Sequence, residues 1–337
     1  MSNTFIIGEI SANHGNDVEI VKKTMKKLQE LGADAVKIQT YTADTITIDC
    51  NKELFKVKGT SLWDGMNLYD LYKEASTPWE WHKELFEYAK EIGITLFSTP
   101  FDKTAVDLLE ECGNPIYKVA SFEIMDIPLI EYMASKGKPM IMSTGVATLE
   151  EIYEAVEACK KMGNNDITLL KCTSQYPAKL EDANLRTMVD MKDKFGVKVG
   201  LSDHTMGSAV PVAATTLGAE VIEKHFILDR EIGGPDASFS MTPEEFKEMV
   251  DRVREVEKTL GVVDYSLTES KIKSRKFSRS LFVVKDIKKG EILTEKNVRS
   301  IRPGDGMSPK YYKEILGEKA KLDIEFGTPL QWELIEK

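Results

Sequence analysis

The chain has 337 residues, 42% of them apolar, enough for one large core and a smaller second one. Its formal charge of −10, with lysines interleaved among Glu and Asp, excludes the broad basic face that a nucleic-acid backbone needs. The N-terminal MSNTFIIGEISANHG lacks an export pattern, no run of about 18 apolar residues occurs, and the cysteines (Cys50, Cys112, Cys159 and Cys172) show no CxxC spacing. We therefore expect a cytoplasmic protein with no membrane and no nucleic acid as partner, and with neither a disulfide framework nor a zinc ribbon.

In chain order, eight short apolar or β-branched runs read as strands: FIIGEI, DAVKIQT, TLFSTP, PIYKVAS, PMIMSTG, ITLLKCTS, KVGLSDH and VIEKHFIL. Between them lie charged stretches with apolar residues at helical spacing, among them 17–31, 78–92, 149–162 and 242–260. Thr77 before Pro78 and Thr242 before Pro243-Glu244-Glu245 predict capped helix starts. Eight strand–helix units in about 260 residues predict a (β/α)8 TIM barrel, whose strands are covered on both sides, with an open doubly wound sheet as the alternative. The barrel is assigned to residues 1–262 and a polar linker to 263–278. Short β-like runs broken by Lys-Gly, Pro-Gly and Phe-Gly turns over 279–337 predict a small β-rich domain.

Polar residues sit late in every run: Glu9, Lys37, Gln39, Ser98, Thr99, Lys118, Ser121, Ser143, Thr144, Thr173, Ser174, Asp203, His204, Glu223 and His225. They are expected to ring the mouth at the carboxyl ends of the strands, where such barrels carry their sites. In VIEKHFIL, alternation puts Val221, Glu223 and His225 on one face and Ile222, Lys224 and Phe226 on the other, so Lys224 is expected to support the helix layer through an ion pair. His204 closes the preceding run, and strands about 5 Å apart bring its imidazole to that of His225. Such a pair, completed by water and substrate oxygens, suits an open octahedral ion such as Mn2+ or Mg2+; the bland alternative is that each histidine bonds a backbone carbonyl. Lys37 and Lys118 within strands, with Thr99, Ser121, Ser143, Ser174 and Ser202 at strand ends, form a set that a phosphate would satisfy. The alternative pairs each lysine with a carboxylate, Glu9 or Glu123. His14 and His82 are set aside as structural, His82 on an exposed-looking helix, and Asn13 is either a turn former or a helper of Glu9. Lys171 offers a rival chemistry, a Schiff-base aldolase or lyase.

The motifs GEISANHG, KIQTYTADT, STPFD, YKVASFE, STG, KCTSQYP, VGLSDHT and IEKHF resemble, in order, those of the sialic-acid-type nonulosonate synthases. The tail RSLFVVKDIKKGEILTEKNVRSIRPGDGM resembles their antifreeze-like (SAF) domain, a feature that also raises a non-catalytic carbohydrate- or ice-binding protein as a rival. KIQTYT, KCTSQYP, DASFSM and LWDGMNLYDLYKEASTPWEWH look most like the pseudaminic branch, whereas the N-acetylneuraminate branch would carry Phe for Ile38 and Asn for Ser174; Gly-Pro-Asp in GGPDASFSM is shared with the sialic and legionaminic branches.

The resemblance implies a metal-dependent transferase that condenses phosphoenolpyruvate with an open-chain amino-sugar aldehyde, releasing phosphate and leaving a nine-carbon 2-keto acid. In the pseudaminic branch the acceptor is 2,4-diacetamido-2,4,6-trideoxy-L-altrose; N-acetylneuraminate and legionaminic acid synthases are the alternatives. It implies Glu9 and Glu223 as catalytic groups, Glu9 acting on the incoming water, and Lys37, Thr99, Lys118, Ser121, Ser143, Ser174 and Ser202 around phosphoenolpyruvate. Gln39, Tyr176, Asp236 and, beside its catalytic role, Glu223 fall on the sugar side, and His204 and His225 hold Mn2+, with Mg2+ or Co2+ as substitutes. It further implies a homodimer with a domain-swapped C-terminal domain, in which Arg302 reaches the partner's sugar.

Overall fold

The computed structural model describes residues 3–59 and 63–336. All eight predicted strands form: β1 (Phe5–Glu9), β2 (Ala35–Thr40), β3 (Thr95–Pro100), β4 (Tyr117–Val119), β5 (Met140–Ser143), β6 (Ile167–Cys172), β7 (Lys198–Asp203) and β8 (Val221–His225). They pair in sequence order, all parallel, and β1 closes on β8, so the doubly wound alternative is excluded. The register sets Glu9 beside Lys37 on one flank and His225 on the other, and Ser202 beside Glu223.

Helices form within the four expected stretches, and of the two predicted caps the one at Thr242 forms. Val18–Leu31 starts behind Asp17, whose carboxylate accepts the Glu19 N–H, and stops at Gly32 with φ 91°. Leu149–Lys161 and Pro243–Leu260 each begin with a capping box, Thr148 with Glu151 and Thr242 with Glu245. Thr77 does not cap: a 3-10 turn at Trp79–Trp81 intervenes, the helix starts only at His82, and Thr77 is buried. Outward-facing Ile6, Val36, Leu96, Met142, Leu169, Val199 and Ile222 pack against the helix layer in one continuous core, each such side chain contributing roughly 1.5–3 kcal/mol. Gly8 lies on that outward face, and a Cβ there would drive into Leu28, so this close approach of helix to strand requires glycine.

Several polar residues expected at the mouth face outward. Ser98 bonds the Ile38 carbonyl and Thr40, Thr144 the Leu170 carbonyl, and Thr173 the Asp182 carbonyl. Asp203 pairs with Lys224 at 2.5 Å, which also donates to the Thr205 carbonyl, so Lys224 supports the helix layer as expected. The reason is alternation: neighbours such as Ser98 and Thr99 cannot both point inward. His82 is not exposed but fully buried, with Nε2 2.7 Å from Thr40 Oγ1 and Nδ1 3.2 Å from the Pro78 carbonyl. His14 Nε2 lies 3.1 Å from the Ala75 carbonyl. The two histidines tie the long excursion between β2 and β3 to the barrel, His82 through Thr40 at the end of β2 and His14 through the Ala75 carbonyl.

The chain divides after Gly261 into two compact units. In the second, β9 (Ser280–Val283) pairs antiparallel with β10 (Val298–Ile301) and β11 (Lys319–Ala320) with β12 (Ile335–Glu336), around Leu281, Val283, Leu293, Val298, Ile315 and Leu330. The stretch expected as linker carries a helix, Glu269–Arg275, capped by Thr268. No helix among the described residues is long and apolar enough to cross a membrane.

Burial pulls the His82 imidazole from its ordinary 6.5 down to about 4, against the raising effect of the Pro78 and Trp79 carbonyls. The folded chain therefore binds fewer protons here than the unfolded chain between those values; the contribution is complete above pH 6.5 and is lost as pH falls toward 4. The stability gap between wild type and His82→Asn is expected to shrink by about 2–3 kcal/mol from about pH 7 to pH 4.5 in urea titrations; an unchanged gap contradicts this.

Candidate active site

Inside the barrel, alternation sorts the side chains into two layers. The floor is apolar, made of Ile7, Ala35, Phe97, Ile141, Leu170 and Val221. Two residues further along the same strands stand Glu9, Lys37, Thr99, Ser143, Cys172 and Glu223, all buried. The first layer closes the bottom to water, and the second collects charge above it.

Lys37 Nζ lies 2.7 Å from Glu9 Oε2, 3.6 Å from Glu223 Oε1 and 3.3 Å from Thr99 Oγ1. Lys118 Nζ donates to Ser143 Oγ at 2.6 Å and the Val119 carbonyl at 2.9 Å, and sits 4.0 Å from Glu223 Oε1, which accepts from Ser202 at 3.2 Å. The lysine–carboxylate pairing thus exists, through Glu9 and Glu223; Glu123 forms no ion pair with Lys118 among the described residues. Burial, with Glu223's charge and against Lys37's, pushes the Glu9 carboxyl up to about 7. Burial also works on Glu223, but Lys118 and Lys37 outweigh it and hold that carboxyl below its ordinary value. Two like charges in one dry well separate in this way, one carboxylate staying ionised and the other poised near neutrality.

Ser121 accepts the Gly145 N–H at 3.2 Å, and Ser174 Oγ lies 3.8 Å from Cys172 Sγ, so both hydroxyls adjoin the lysine cluster through the β5 and β6 loops. Gln39 donates to Ser11 at 3.0 Å and Glu9 at 3.4 Å, and Asp236 Oδ2 accepts the Ala12 N–H at 3.3 Å. Asn13 joins strand ends instead, donating to the Phe226 carbonyl at 3.0 Å and to Ser240 at 2.8 Å.

The imidazoles of His204 and His225 do meet, with ring centroids 5.2 Å apart, and the Tyr176 ring packs 4.4 Å from His204. His204 Nδ1 lies 2.9 Å from the Thr173 carbonyl, to which it donates; against burial, Cys172 and that carbonyl raise the imidazole, so a bound ion would replace the proton on Nε2. His225 Nδ1 is buried without a hydrogen-bond partner, 3.7 Å from Asp236 Oδ2. Burial first, then the charges of His204 and Lys37, drives His225 well below its ordinary value and keeps it neutral. A neutral imidazole with an orphaned nitrogen beside one whose other nitrogen is pinned fits a divalent ion. No cluster of three or more His, Cys, Asp or Glu ligands exists among the described residues, so such an ion would draw its remaining ligands from water or substrate.

Lys171 does not face the well: its Nζ donates to the Cys172 carbonyl at 2.7 Å and to Thr173 Oγ1 at 3.3 Å, which removes the Schiff-base rival. Arg302 is exposed in the loop after β10, in the second unit. Sequence reasoning missed Cys172, which the parity of Leu170 and Cys172 on β6 signals; burial raises its thiol, but His204 outweighs that and brings it to about 6. It missed Phe239, whose ring lies 5.1 Å from His225 and 5.0 Å from Tyr176. It also undervalued Glu123, which has a buried Oε2 without a hydrogen-bond partner and which burial pushes up to about 7 against Lys118; Glu123 sits in a 3-10 turn that strand alternation does not reach.

The sequence profile of the NeuB family matches residues 24–265, and that of the SAF domain residues 278–336. The chain belongs to the NeuB family. Among the relatives of this NeuB-family protein, a pseudaminic acid synthase of Helicobacter pylori is 49% identical over 98% of each chain, and one of Campylobacter jejuni is 50% identical over 97% of this chain and 95% of its own. A crystal structure of N-acetylneuraminic acid synthetase from Leptospira borgpetersenii superposes with a TM-score of 0.72 at 32% identity, covering 81% of this chain and 90% of that one. Membership in this family removes the non-catalytic rival.

Gly145 tests whether the hydroxyls of this NeuB-family site work as a set. A Cβ there would collide with Ser174 Oγ and stand 3.0 Å from Ser121 Oγ. Gly145→Ala is expected to weaken inorganic phosphate binding about tenfold by calorimetry with little change in melting temperature; unchanged affinity contradicts a joint anion cradle.

Proposed function

We propose that this protein is a pseudaminic acid synthase that condenses phosphoenolpyruvate with 2,4-diacetamido-2,4,6-trideoxy-L-altrose. The observation that carries the reaction class is the buried well itself: two ammoniums and a set of hydroxyls over an apolar floor, beside two imidazoles that meet. Near-full-length identity to pseudaminic acid synthases favours that branch over the N-acetylneuraminate and legionaminic ones.

Lys37 and Lys118 offset the phosphate charge while Thr99, Ser121, Ser143, Ser174 and Ser202 donate to its oxygens. Gln39, Tyr176, Asp236 and Glu223 hold the open-chain sugar so that its aldehyde carbon faces C3 of phosphoenolpyruvate. His204 and His225 would hold a divalent cation, which we take as Mn2+ with Mg2+ or Co2+ as substitutes, and it would supply Lewis acidity toward the aldehyde oxygen. As the C–C bond forms, positive charge develops at C2, and Glu9, protonated when phosphoenolpyruvate binds, gives its proton to the aldehyde oxygen, which becomes a hydroxyl. Glu9, ionised by that transfer and with a carboxyl that sits near 7, then accepts a proton from the water that adds to C2. The tetrahedral carbon then collapses to the ketone and the C–O bond to phosphate breaks. Glu223, held ionised by the two lysines, keeps them in place through the change in charge.

We read the enzyme as a cytoplasmic homodimer in which the second unit of one chain brings Arg302 to the sugar at the partner's barrel. Phosphate release from phosphoenolpyruvate tests the proposal with the diacetamido-trideoxy sugar, its legionaminic-type isomer and N-acetylmannosamine, with and without Mn2+, and with mixed Arg302→Ala and His225→Ala chains. We expect the altrose acceptor to lead, chelation to abolish release, and mixed chains to regain activity that neither variant has alone. A preference for N-acetylmannosamine overturns the branch, full activity in chelator overturns the metal, and dead heterodimers overturn the shared site.

A further inference from the structure

A cavity in the barrel unit lies outside the charged well. It measures about 420 Å³, and its walls include Trp63, Met66, Leu71, Pro235 and Ala237. Two links join it to the site: the Trp63 ring lies 6.1 Å from that of Tyr176, which packs on His204, and Ala237 follows Asp236, whose Oδ2 lies 3.7 Å from His225 Nδ1. The cavity therefore begins where the far end of an acceptor held at the imidazoles would end. An open six-carbon chain spans about 6 Å, five bonds of about 1.5 Å in a zigzag.

The cavity's polar residues offer little to a hydroxyl on this apolar side. Arg230 Nη2 is engaged by the Ser240 carbonyl at 2.9 Å and by Glu245 at 2.6 Å, while Glu74 and Ser238 are solvent-exposed. We propose that the Trp63–Met66–Leu71–Ala237 wall is a specificity pocket for the C6 methyl group of the acceptor and selects 6-deoxy over 6-hydroxy sugars. The inference rests on the reaction proposed above, with the acetamido-bearing C2 and C4 nearer the aldehyde and C6 the carbon that reaches the pocket. A 6-hydroxyl there would lose its water without gaining a partner.

The test compares kcat/KM for 2,4-diacetamido-2,4,6-trideoxy-L-altrose with that for its 6-hydroxy analogue, in the Mn2+-loaded full-length enzyme. Wild type is expected to favour the 6-deoxy acceptor by about 10- to 100-fold, the range an apolar pocket achieves against an added hydroxyl. Met66→Gln, close in volume and offering the hydroxyl a partner, is expected to narrow the ratio by about tenfold, mainly by improving the 6-hydroxy acceptor. Trp63→Ala narrows it by costing the 6-deoxy acceptor more. Should Trp63→Ala fail to fold, Met66→Gln decides. A wild-type ratio within about threefold, or a ratio that Met66→Gln leaves unchanged, overturns the pocket while the synthase reaction stands. No phosphate release with either acceptor overturns the reaction and the pocket with it.

Discussion

The structure depends on one desolvated arrangement of charge: Glu9, Lys37, Glu223 and Lys118 inside a closed barrel, held within 4.0 Å of one another along the chain of contacts Glu9–Lys37–Glu223–Lys118. Any one of these groups alone in that well would cost several kcal/mol, so the set is stable only as a set. It is neutral as a whole, yet it is not saturated: Glu223 Oε2 has no hydrogen-bond partner, and Glu9 sits near 7. An anion entering the well finds two ammoniums it can share and one carboxyl that protonates readily. The floor of Ile7, Phe97, Ile141, Leu170 and Val221 excludes water from below, which strengthens every one of these interactions.

The opposite face of the same strands explains why the arrangement is rigid. Asp203 and Lys224 point outward and pair under the helix layer, and Ser98, Thr40 and His82 form a hydrogen-bonded line from β3 through β2 to the helix beginning at His82. Polar chemistry therefore occupies both faces of the strands, with different tasks. Outside it fixes helices to the barrel; inside it is available to a ligand. Groups that must act on one atom gain from strands that cannot shift against their neighbours.

Much of this was legible in the residues. The eight runs, the helical spacing between them and the cap at Thr242 are local signals, and they mark the elements because chain chemistry alone decides them. Position late in a run marks the mouth of the barrel but not the face, and only the closed register says that Thr99 points in and Ser98 out. Once the register shows Phe97 and Leu170 to point inward, alternation sorts Thr99 from Ser98 and recovers Cys172. Residues outside the strands were harder: Glu123 lies in a turn, Trp63 on the excursion between β2 and β3, and neither obeys a period that sequence reasoning can follow. His82 is expected on an exposed helix face, yet a 3-10 turn at Trp79–Trp81 delays the helix to His82, whose side chain is buried.

The central claim, that the buried quartet accommodates an anion by protonating Glu9, is tested most directly by proton uptake on phosphoenolpyruvate binding. Calorimetry at pH 7.5 in buffers of different ionisation enthalpy measures it. The account predicts greater proton uptake by wild type than by Glu9→Gln, because the ligand's charge raises a carboxyl already near 7. Equal uptake in the two proteins would contradict it.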